Sequence, residues 1–391
     1  MSDEILNATA LVDQARLATG LEDFGEDTWR EGLDRLLDAL LTEARLTEMG
    51  EQIAAAMLVN DLTSRLRVTD WHTRHPEIGA APVPPPVVVL GQPRTGTTIL
   101  FDLLAQDPRL RAPLTWEVAN PHPPPATATY ATDPRIAESE AAAEMTELVN
   151  PGFRAVHPSG ALRGQEDVVI TSGDFRSMTF PTVFRVPSYM RWLIGEADMA
   201  SAYRYHRRFL QLLQWRHPGE RWVLKTPAHT WCLGALFAEY PDATIVQTHR
   251  DPLKVLASVA SLTEHLQRMV SGQTTIPEQA EEWVDYLELG NNRSVDARED
   301  GTVPADQAVD FLFRDLMADP FAALADLYAG MGLDFTAEAE AGMRAFLAAH
   351  PADEHGTHTY SFAATRLDED QVRARMQRYE TYFAVPREPL G

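Results

Sequence analysis

The first 75 or so residues carry apolar side chains at the spacing of an amphipathic helix. Within DTWREGLDRLLDALLTEARL the apolar face consists of Leu33, Leu36, Leu37, Leu40 and Leu41. Thr28 followed by Glu31 has the spacing of a capping box, which predicts that the helix begins there. The periodicity continues at Ile53, Met57, Leu58, Leu62 and Leu66. We therefore expect residues 1–80 to form a helical extension packed on the rest of the chain, with a dimerisation element or a substrate lid as alternatives.

Beyond the proline-rich stretch APVPPP, short β-rich runs alternate with helical patterns. The runs are residues 87–90, 221–226, 244–250 and 308–316, and each is followed by a segment of helical spacing. Such alternation is typical of a parallel sheet with helices on its faces. The fold class expected is therefore α/β, with residues 81–391 as the main domain.

Composition narrows the possible partners and the compartment. The chain of 391 residues has a formal net charge of −23, which argues against nucleic acid or an anionic membrane surface as a partner. The single cysteine, Cys232, excludes an intrachain disulfide, and its apolar surroundings predict a small buried side chain. The N-terminus lacks the pattern of a signal peptide, and no apolar run approaches the ~20 residues of a membrane span. We expect a soluble cytoplasmic protein without integral membrane association, and a homodimer is possible.

The segment GQPRTGTTIL, directly after the first predicted strand, has the composition of an anion-binding loop. Gly91 and Gly96 allow a tight turn and close approach of backbone N–H groups, with Pro93 between them. The loop leads into a helix, whose N-terminus supplies further N–H donors and a partial positive charge. Arg94 adds a guanidinium, and the three hydroxyls belong to Thr95, Thr97 and Thr98. This pattern predicts a phosphate or sulfate site.

Two details distinguish the loop from that of an ATP- or GTP-dependent enzyme. Thr97 stands where the phosphate-binding lysine of such loops belongs, which argues against a Mg²⁺-dependent kinase. The run TIVQTHRDPLKVLASV then places Arg250 at the end of a strand and Ser258 on the following helix. Both segments reach the carboxyl edge of the sheet, so this pair is a candidate for holding a second phosphate.

Together, GQPRTGTTIL and IVQTHRDPLKVLASV resemble the sulfotransferases that use 3′-phosphoadenosine 5′-phosphosulfate (PAPS) as donor. The resemblance spans roughly residues 85–335 and includes WVLKTPAHTWCLGALF. It implies a P-loop-like fold, a loop that holds the 5′-phosphosulfate, an Arg250–Ser258 pair that holds the 3′-phosphate, and no metal. Many relatives carry a lysine at the place of Arg94, and an arginine is a poorer proton donor to the leaving group.

Sulfuryl transfer to a hydroxyl also needs a general base, and three residues are candidates. Glu117 lies 23 residues after Arg94, a distance at which several branches of the family carry a catalytic glutamate. His229 follows a strand end, and histidine is a residue type suited to proton transfer near neutral pH. Glu166, in RGQEDVVI, could serve as base or as an acceptor-site residue. Lys225 and Thr226 end the predicted strand at residues 221–226 and could contact the 5′-phosphate side of the donor.

The acceptor is less well defined by the sequence. Residues 174–193 interleave aromatic and methionine side chains, which indicates either a core-lining segment or an apolar pocket for a lipid, steroid, polyketide or phenolic alcohol. Arginines in the same segment leave an anionic or sugar-linked acceptor open. His358 and Arg366 are weaker candidates for late contacts with the nucleotide. Rival interpretations are a P-loop phosphotransferase and a nucleotide-binding protein without catalysis.

Overall fold

The computed structural model describes residues 5–149, 152, 159–351 and 359–390. His358 therefore lies outside the described residues. The strands are β1 (Val87–Gly91), β2 (Leu110–Arg111), β3 (Arg221–Lys225), β4 (Thr244–His249) and β5 (Ala308–Leu312). They form a parallel sheet in the order β2-β3-β1-β4-β5. The predicted α/β class is thus confirmed.

The helices cover the sheet and extend the chain at both ends. Those before β3 are α1 (Ala8–Thr19), α2 (Trp29–Thr42), α3 (Glu48–Arg74), α4 (Pro76–Ala80), α5 (Thr97–Leu104), α6 (Thr115–Ala119), α7 (Pro134–Val149), α8 (Asp167–Thr171), α9 (Thr179–Val183), α10 (Pro187–Gly195) and α11 (Ala200–Gln214). Those after β3 are α12 (Leu233–Glu239), α13 (Pro252–Gln267), α14 (Ile276–Glu299), α15 (Phe313–Ala318), α16 (Pro320–Gly330), α17 (Ala337–Ala349) and α18 (Glu369–Tyr382). No helix of the described ranges is both long and apolar enough to cross a membrane.

Side chains of β1 alternate between the two faces of the sheet. Val88 and Leu90 pack with α11 and α12, whereas Val87 and Val89 pack with α5 and α16. Every residue of β1 is buried, which is the burial expected of a central parallel strand covered by helices on both faces.

The N-terminal helices pack against the segment that follows α8. A single apolar cluster joins α1, α2 and α3 to Phe175, Phe180, Phe184 and Tyr189. All five aromatic side chains of residues 174–193 therefore belong to the core. The half-buried Met178 packs against this cluster and also lines a cavity.

Two local predictions were wrong. The Thr28 side chain makes no capping hydrogen bond to α2, because its hydroxyl donates to Asp174 Oδ1 at 3.0 Å. The last predicted strand, residues 308–316, is also too long. The chain turns into α15 at Phe313, so β5 contains only 5 residues.

Candidate active site

The loop between β1 and α5 has glycine where other residues would clash. Gly91 has φ of +141°, and a Cβ on it would collide with the hydroxyl and carbonyl oxygens of Thr248 on β4. Gly96 has φ of +90°, and a Cβ there would lie 2.5 Å from the ring of Phe313. Both positions therefore require glycine, for close packing as well as for backbone conformation. The turn leaves the N-terminus of α5 at the carboxyl edge of the sheet.

The three loop threonines have different surroundings. The Thr95 hydroxyl is buried and donates to Gln92 O at 2.6 Å, with Thr248 Oγ1 also 2.6 Å away. It therefore shapes the loop from inside, contrary to the expectation that it faces a ligand. Thr97 is buried in the first turn of α5, and half-buried Thr98 accepts a hydrogen bond from Lys225 Nζ at 3.2 Å. Pro93 is half-buried within the turn.

Arg94 connects the loop to the element that follows β4. Its backbone is left-handed, with φ of +69°, and its Nε donates to Ser258 Oγ on α13 at 3.0 Å. Burial lowers the pKa of the Arg94 guanidinium, and the nearby charge of Arg250 acts in the same direction. Two arginines and a serine from separate elements thus meet at one edge of the sheet.

Arg250, directly after β4, completes this cationic group. Its Nη1 donates to the Arg94 carbonyl oxygen at 3.2 Å, and its guanidinium carbon lies 4.6 Å from the centre of the Phe313 ring. Its Nε and Nη2 each donate to a carboxylate oxygen of Glu388 at 3.0 Å. Although burial acts to lower it, the pKa of Arg250 is raised because Glu388 stabilises the charged guanidinium. Nothing in the sequence pattern indicated Glu388.

A second charged group lies where β3 ends. Lys225 Nζ is 2.5 Å from Glu166 Oε1, and the Thr226 hydroxyl donates to Glu166 Oε2 at 3.3 Å. The Lys225 side chain is 1% exposed, whereas that of Glu166 is 18% exposed. Through Thr98 this group adjoins the first turn of α5. The fold therefore brings Glu166, Lys225, Thr226 and the loop together at the carboxyl edge.

Glu117 is not part of this assembly. It is fully buried, its Oε1 accepts from Arg111 Nη2 at 2.6 Å, and its Oε2 accepts from Leu114 N at 2.9 Å. Arg111 pairs with the beginning of β3 and also binds the carbonyl oxygens of Leu213 and His217, which precede that strand. The carboxylate thus lies at the amino end of the sheet, away from the loop. The structure therefore does not bring Glu117, our leading candidate for the general base, together with the loop.

His229 lies near the carboxyl edge, but both of its ring nitrogens are engaged. Nδ1 is 2.6 Å from the Tyr203 hydroxyl, and Nε2 is 2.9 Å from Asp167 Oδ2. Burial acts to raise the pKa of the Asp167 carboxyl, but His206 and His229 together hold it below its ordinary value. This geometry fits an imidazole that fixes the Pro227–Trp231 turn better than a base that receives a proton from a substrate. Asp167, which directly follows Glu166 in the sequence, was not predicted as a partner of His229.

A cavity of about 290 Å³ lies beside this turn. Its walls come from α8, α10, α11 and α12 and include Val168, Met178, Ile194, Tyr203, Thr226 and His229. The wall is mainly apolar and reaches Thr226, the residue that also hydrogen-bonds to Glu166. A pocket of this kind suits an apolar molecule whose polar end points towards the carboxyl edge.

Arg366, a weaker candidate for contacting the nucleotide, is exposed at the end of the turn Phe362–Thr365.

Comparison with known proteins identifies the family of this chain. A family model described as the sulfotransferase family matches residues 85–337. The chain is 26% identical to the omega-hydroxy-beta-dihydromenaquinone-9 sulfotransferase Stf3 of Mycobacterium bovis, over 71% of this chain and 69% of that protein.

Two crystal structures are more similar. Sulfotransferase STF9 of Mycobacterium avium is 33% identical with a TM-score of 0.88, and the match covers 98% of each chain. Sulfotransferase STF1 of Mycobacterium tuberculosis is also 33% identical with a TM-score of 0.84, covering 94% of this chain and 98% of that one. The family model covers more than half of the chain and these relatives are similar over nearly all of it, so the chain belongs to the sulfotransferase family.

Proposed function

We propose that this protein transfers a sulfuryl group from PAPS to a hydroxyl, or an amine, of a small and largely apolar acceptor. The observation that carries the proposal is the 3.0 Å contact between Arg94 Nε and Ser258 Oγ. This contact joins the loop between β1 and α5 to the β4–α13 unit, so one ligand with two separated anionic groups can touch both. PAPS carries a 5′-phosphosulfate and a 3′-phosphate, which match these two positions.

The donor contacts follow from the positions of the cationic groups. The N-terminus of α5, Thr97, Thr98 and Lys225 surround the position proposed for the 5′-phosphosulfate. Arg250 and Ser258 are proposed to hold the 3′-phosphate. Arg94 lies between the two positions and can stabilise negative charge on the leaving phosphate. These groups supply positive charge at the reacting atoms from the protein itself.

We assign the general base to Glu166. Its carboxylate is partly exposed and lies beside Lys225 and Thr226, which places it between the loop and the apolar cavity. In the proposed reaction the acceptor hydroxyl gives its proton to Glu166, and its oxygen forms the new bond to sulfur. The bond between sulfur and the bridging phosphate oxygen breaks, and 3′-phosphoadenosine 5′-phosphate leaves with its charge held by Arg94 and Lys225.

The acceptor class is proposed from the cavity and from one relative. The cavity wall is mainly apolar, and its Thr226 end is within hydrogen-bonding distance of Glu166. The Stf3 relative is named for a hydroxylated menaquinone derivative. Both observations support an apolar alcohol as the acceptor.

The test is calorimetric titration of three nucleotides in the presence of EDTA, repeated with added Mg²⁺. They are 3′-phosphoadenosine 5′-phosphate, adenosine 5′-phosphate and ATP. We expect the first to bind most tightly, and Arg250→Ala to weaken it by about 10- to 100-fold, as loss of a charged hydrogen bond does. Arg268→Ala, at the exposed end of α13, is the matched control. Preference for ATP, or a requirement for Mg²⁺, would instead support a phosphotransferase. Nucleotide binding that survives with no turnover across an acceptor screen would support a protein that only binds.

A further inference from the structure

The arginine proposed to hold the 3′-phosphate already holds a carboxylate of this chain. Glu388 presents both of its oxygens to the Arg250 guanidinium, at 3.0 Å from Nε and 3.0 Å from Nη2. This two-pronged arrangement is the one that phosphate oxygens also adopt with arginine. A phosphate and this carboxylate therefore compete for the same side of Arg250.

The segment after α18 is guided to this position by its own contacts. Phe383 stacks on His249, the last residue of β4, with ring centres 4.2 Å apart. The backbone N–H of Glu388 then donates to Asp251 Oδ2 at 2.8 Å. Asp251 is fully buried and is itself held by Arg373 of α18 at 2.8 Å.

The backbone anchor and the side-chain contact of Glu388 are separate. Asp251 holds the main chain, whereas only the carboxylate contacts Arg250. The Glu388 side chain is 28% exposed and that of Arg250 is 16% exposed, so this ion pair is partly open to solvent. It can leave Arg250 by rotating its side chain while the Asp251 contact remains.

We propose that Glu388 occupies the 3′-phosphate position when no nucleotide is bound and that the 3′-phosphate displaces it. Glu388 then sets donor and product affinity, because binding must overcome the ion pair with Arg250. It also returns to Arg250 as 3′-phosphoadenosine 5′-phosphate leaves, which shortens the residence of the product. This inference rests on the proposed function, since it takes Arg250 as the 3′-phosphate ligand.

The test compares wild type with Glu388→Gln and Glu388→Ala by calorimetry. Two probes are titrated, 3′-phosphoadenosine 5′-phosphate and adenosine 5′-phosphate. We expect both variants to bind the first about 5- to 30-fold more tightly, because the fraction of protein with Arg250 available rises. Binding of adenosine 5′-phosphate should be unchanged within about twofold, since it lacks the competing group. Glu369→Gln, an exposed carboxylate in the first turn of α18, is the control for net charge.

Two results would overturn the inference and are distinguishable from failure of the proposed function. Unchanged or weaker binding of 3′-phosphoadenosine 5′-phosphate by both Glu388 variants would show that Glu388 does not compete with the 3′-phosphate. Equal tightening with adenosine 5′-phosphate shows that the effect does not involve the 3′-phosphate. If wild type does not distinguish the two nucleotides and Arg250→Ala has no effect, the donor assignment itself is wrong.

Discussion

Arg94 combines an unfavourable backbone conformation with a half-buried charge. A left-handed conformation costs a residue other than glycine on the order of 1 kcal/mol, and Arg94 has φ of +69°. The conformation directs its side chain to Ser258 while its carbonyl oxygen accepts from Arg250. Arg94 thus contributes to two positions of the proposed donor site, one through its side chain and one through its main chain.

At the residue scale, substitution of Glu166 and of Glu117 tests which of the two carboxylates is the general base. Glu166→Gln should lower kcat by about 10²- to 10⁴-fold while nucleotide binding is retained, because an amide cannot take the acceptor proton. Turnover is measured with labelled donor and a medium-chain primary alcohol, and binding by calorimetry.

Glu117→Gln is the matched control, since it makes the same chemical change at a carboxylate buried against Arg111. We expect it to lower Tm, because a buried guanidinium loses its charged partner, and to leave kcat of the folded protein within about threefold. A collapse of kcat in Glu117→Gln with unchanged Tm would return the role of base to Glu117.

At the scale of elements, α3 is fastened to the core by buried polar groups. Arg65 Nη1 donates to Asp174 Oδ1 at 3.0 Å, and Ser172 Oγ donates to Asp61 Oδ1 at 2.8 Å. Asp174 also accepts from Ser201 at 2.6 Å, which extends the network to α11. The N-terminal helices are therefore joined to the core by specific polar contacts as well as by their apolar faces.

Asp61 gives this junction a pH dependence. Burial raises the pKa of the Asp61 carboxyl from its ordinary 3.8 to about 7. The folded protein thus holds this proton more tightly than the unfolded chain does. Protonated Asp61 therefore makes its full contribution to the free energy of unfolding below about pH 4. This contribution falls by about 1.4 kcal/mol for each pH unit above that, and it is lost as the pH rises through about 7.

We expect Asp61→Asn to remove this dependence and to be more stable than wild type at pH 8. The measurement is urea unfolding at pH 5 and pH 8. Asp34→Asn, an exposed carboxylate of α2, is the control and should follow wild type. A wild-type free energy of unfolding that does not fall between pH 5 and pH 8 relative to Asp61→Asn would contradict the shifted pKa.

At the scale of the whole molecule, the site is assembled from segments far apart in sequence. The loop between β1 and α5, the end of β3 and the end of β4 meet because neighbouring parallel strands end at the same edge. The walls of the cavity next to them come from helices that precede and follow β3 in the sequence. A change in the cavity wall should therefore affect the acceptor and leave the donor unaffected.

Ala197→Phe tests this separation, because Ala197 lines the cavity beyond the end of α10. We expect the KM for a medium-chain alcohol to rise about tenfold or more, because the added ring fills acceptor space. Affinity for 3′-phosphoadenosine 5′-phosphate should stay unchanged. Ala197→Ser, which adds little volume, should behave as wild type, and equal KM values for the two variants would place the acceptor elsewhere.

Much of the site could be read from local patterns. Gly91 ends one strand and Arg94 and Gly96 follow it, whereas Arg250 and Ser258 both follow the end of another strand. Because neighbouring parallel strands end at the same edge of a sheet, the sequence pattern predicts that these residues meet. The burial of Glu117 was not predicted, because distance along the chain says nothing of burial. Its environment is created by Arg111 and by carbonyl groups about 100 residues later in the chain. Thr95 was misjudged for a related reason, since the turn directs its hydroxyl inward.

The sequence by itself determined the parallel α/β class and the family, because these depend on periodicity and on spacing within short segments. Tertiary structure decided that Glu166 pairs with Lys225, that both His229 nitrogens are engaged, and that Glu388 contacts Arg250. Glu388 and Arg250 are separated by 138 residues. No local pattern encodes such a contact, because it depends on how α18 packs against β4 and on where the chain then leads.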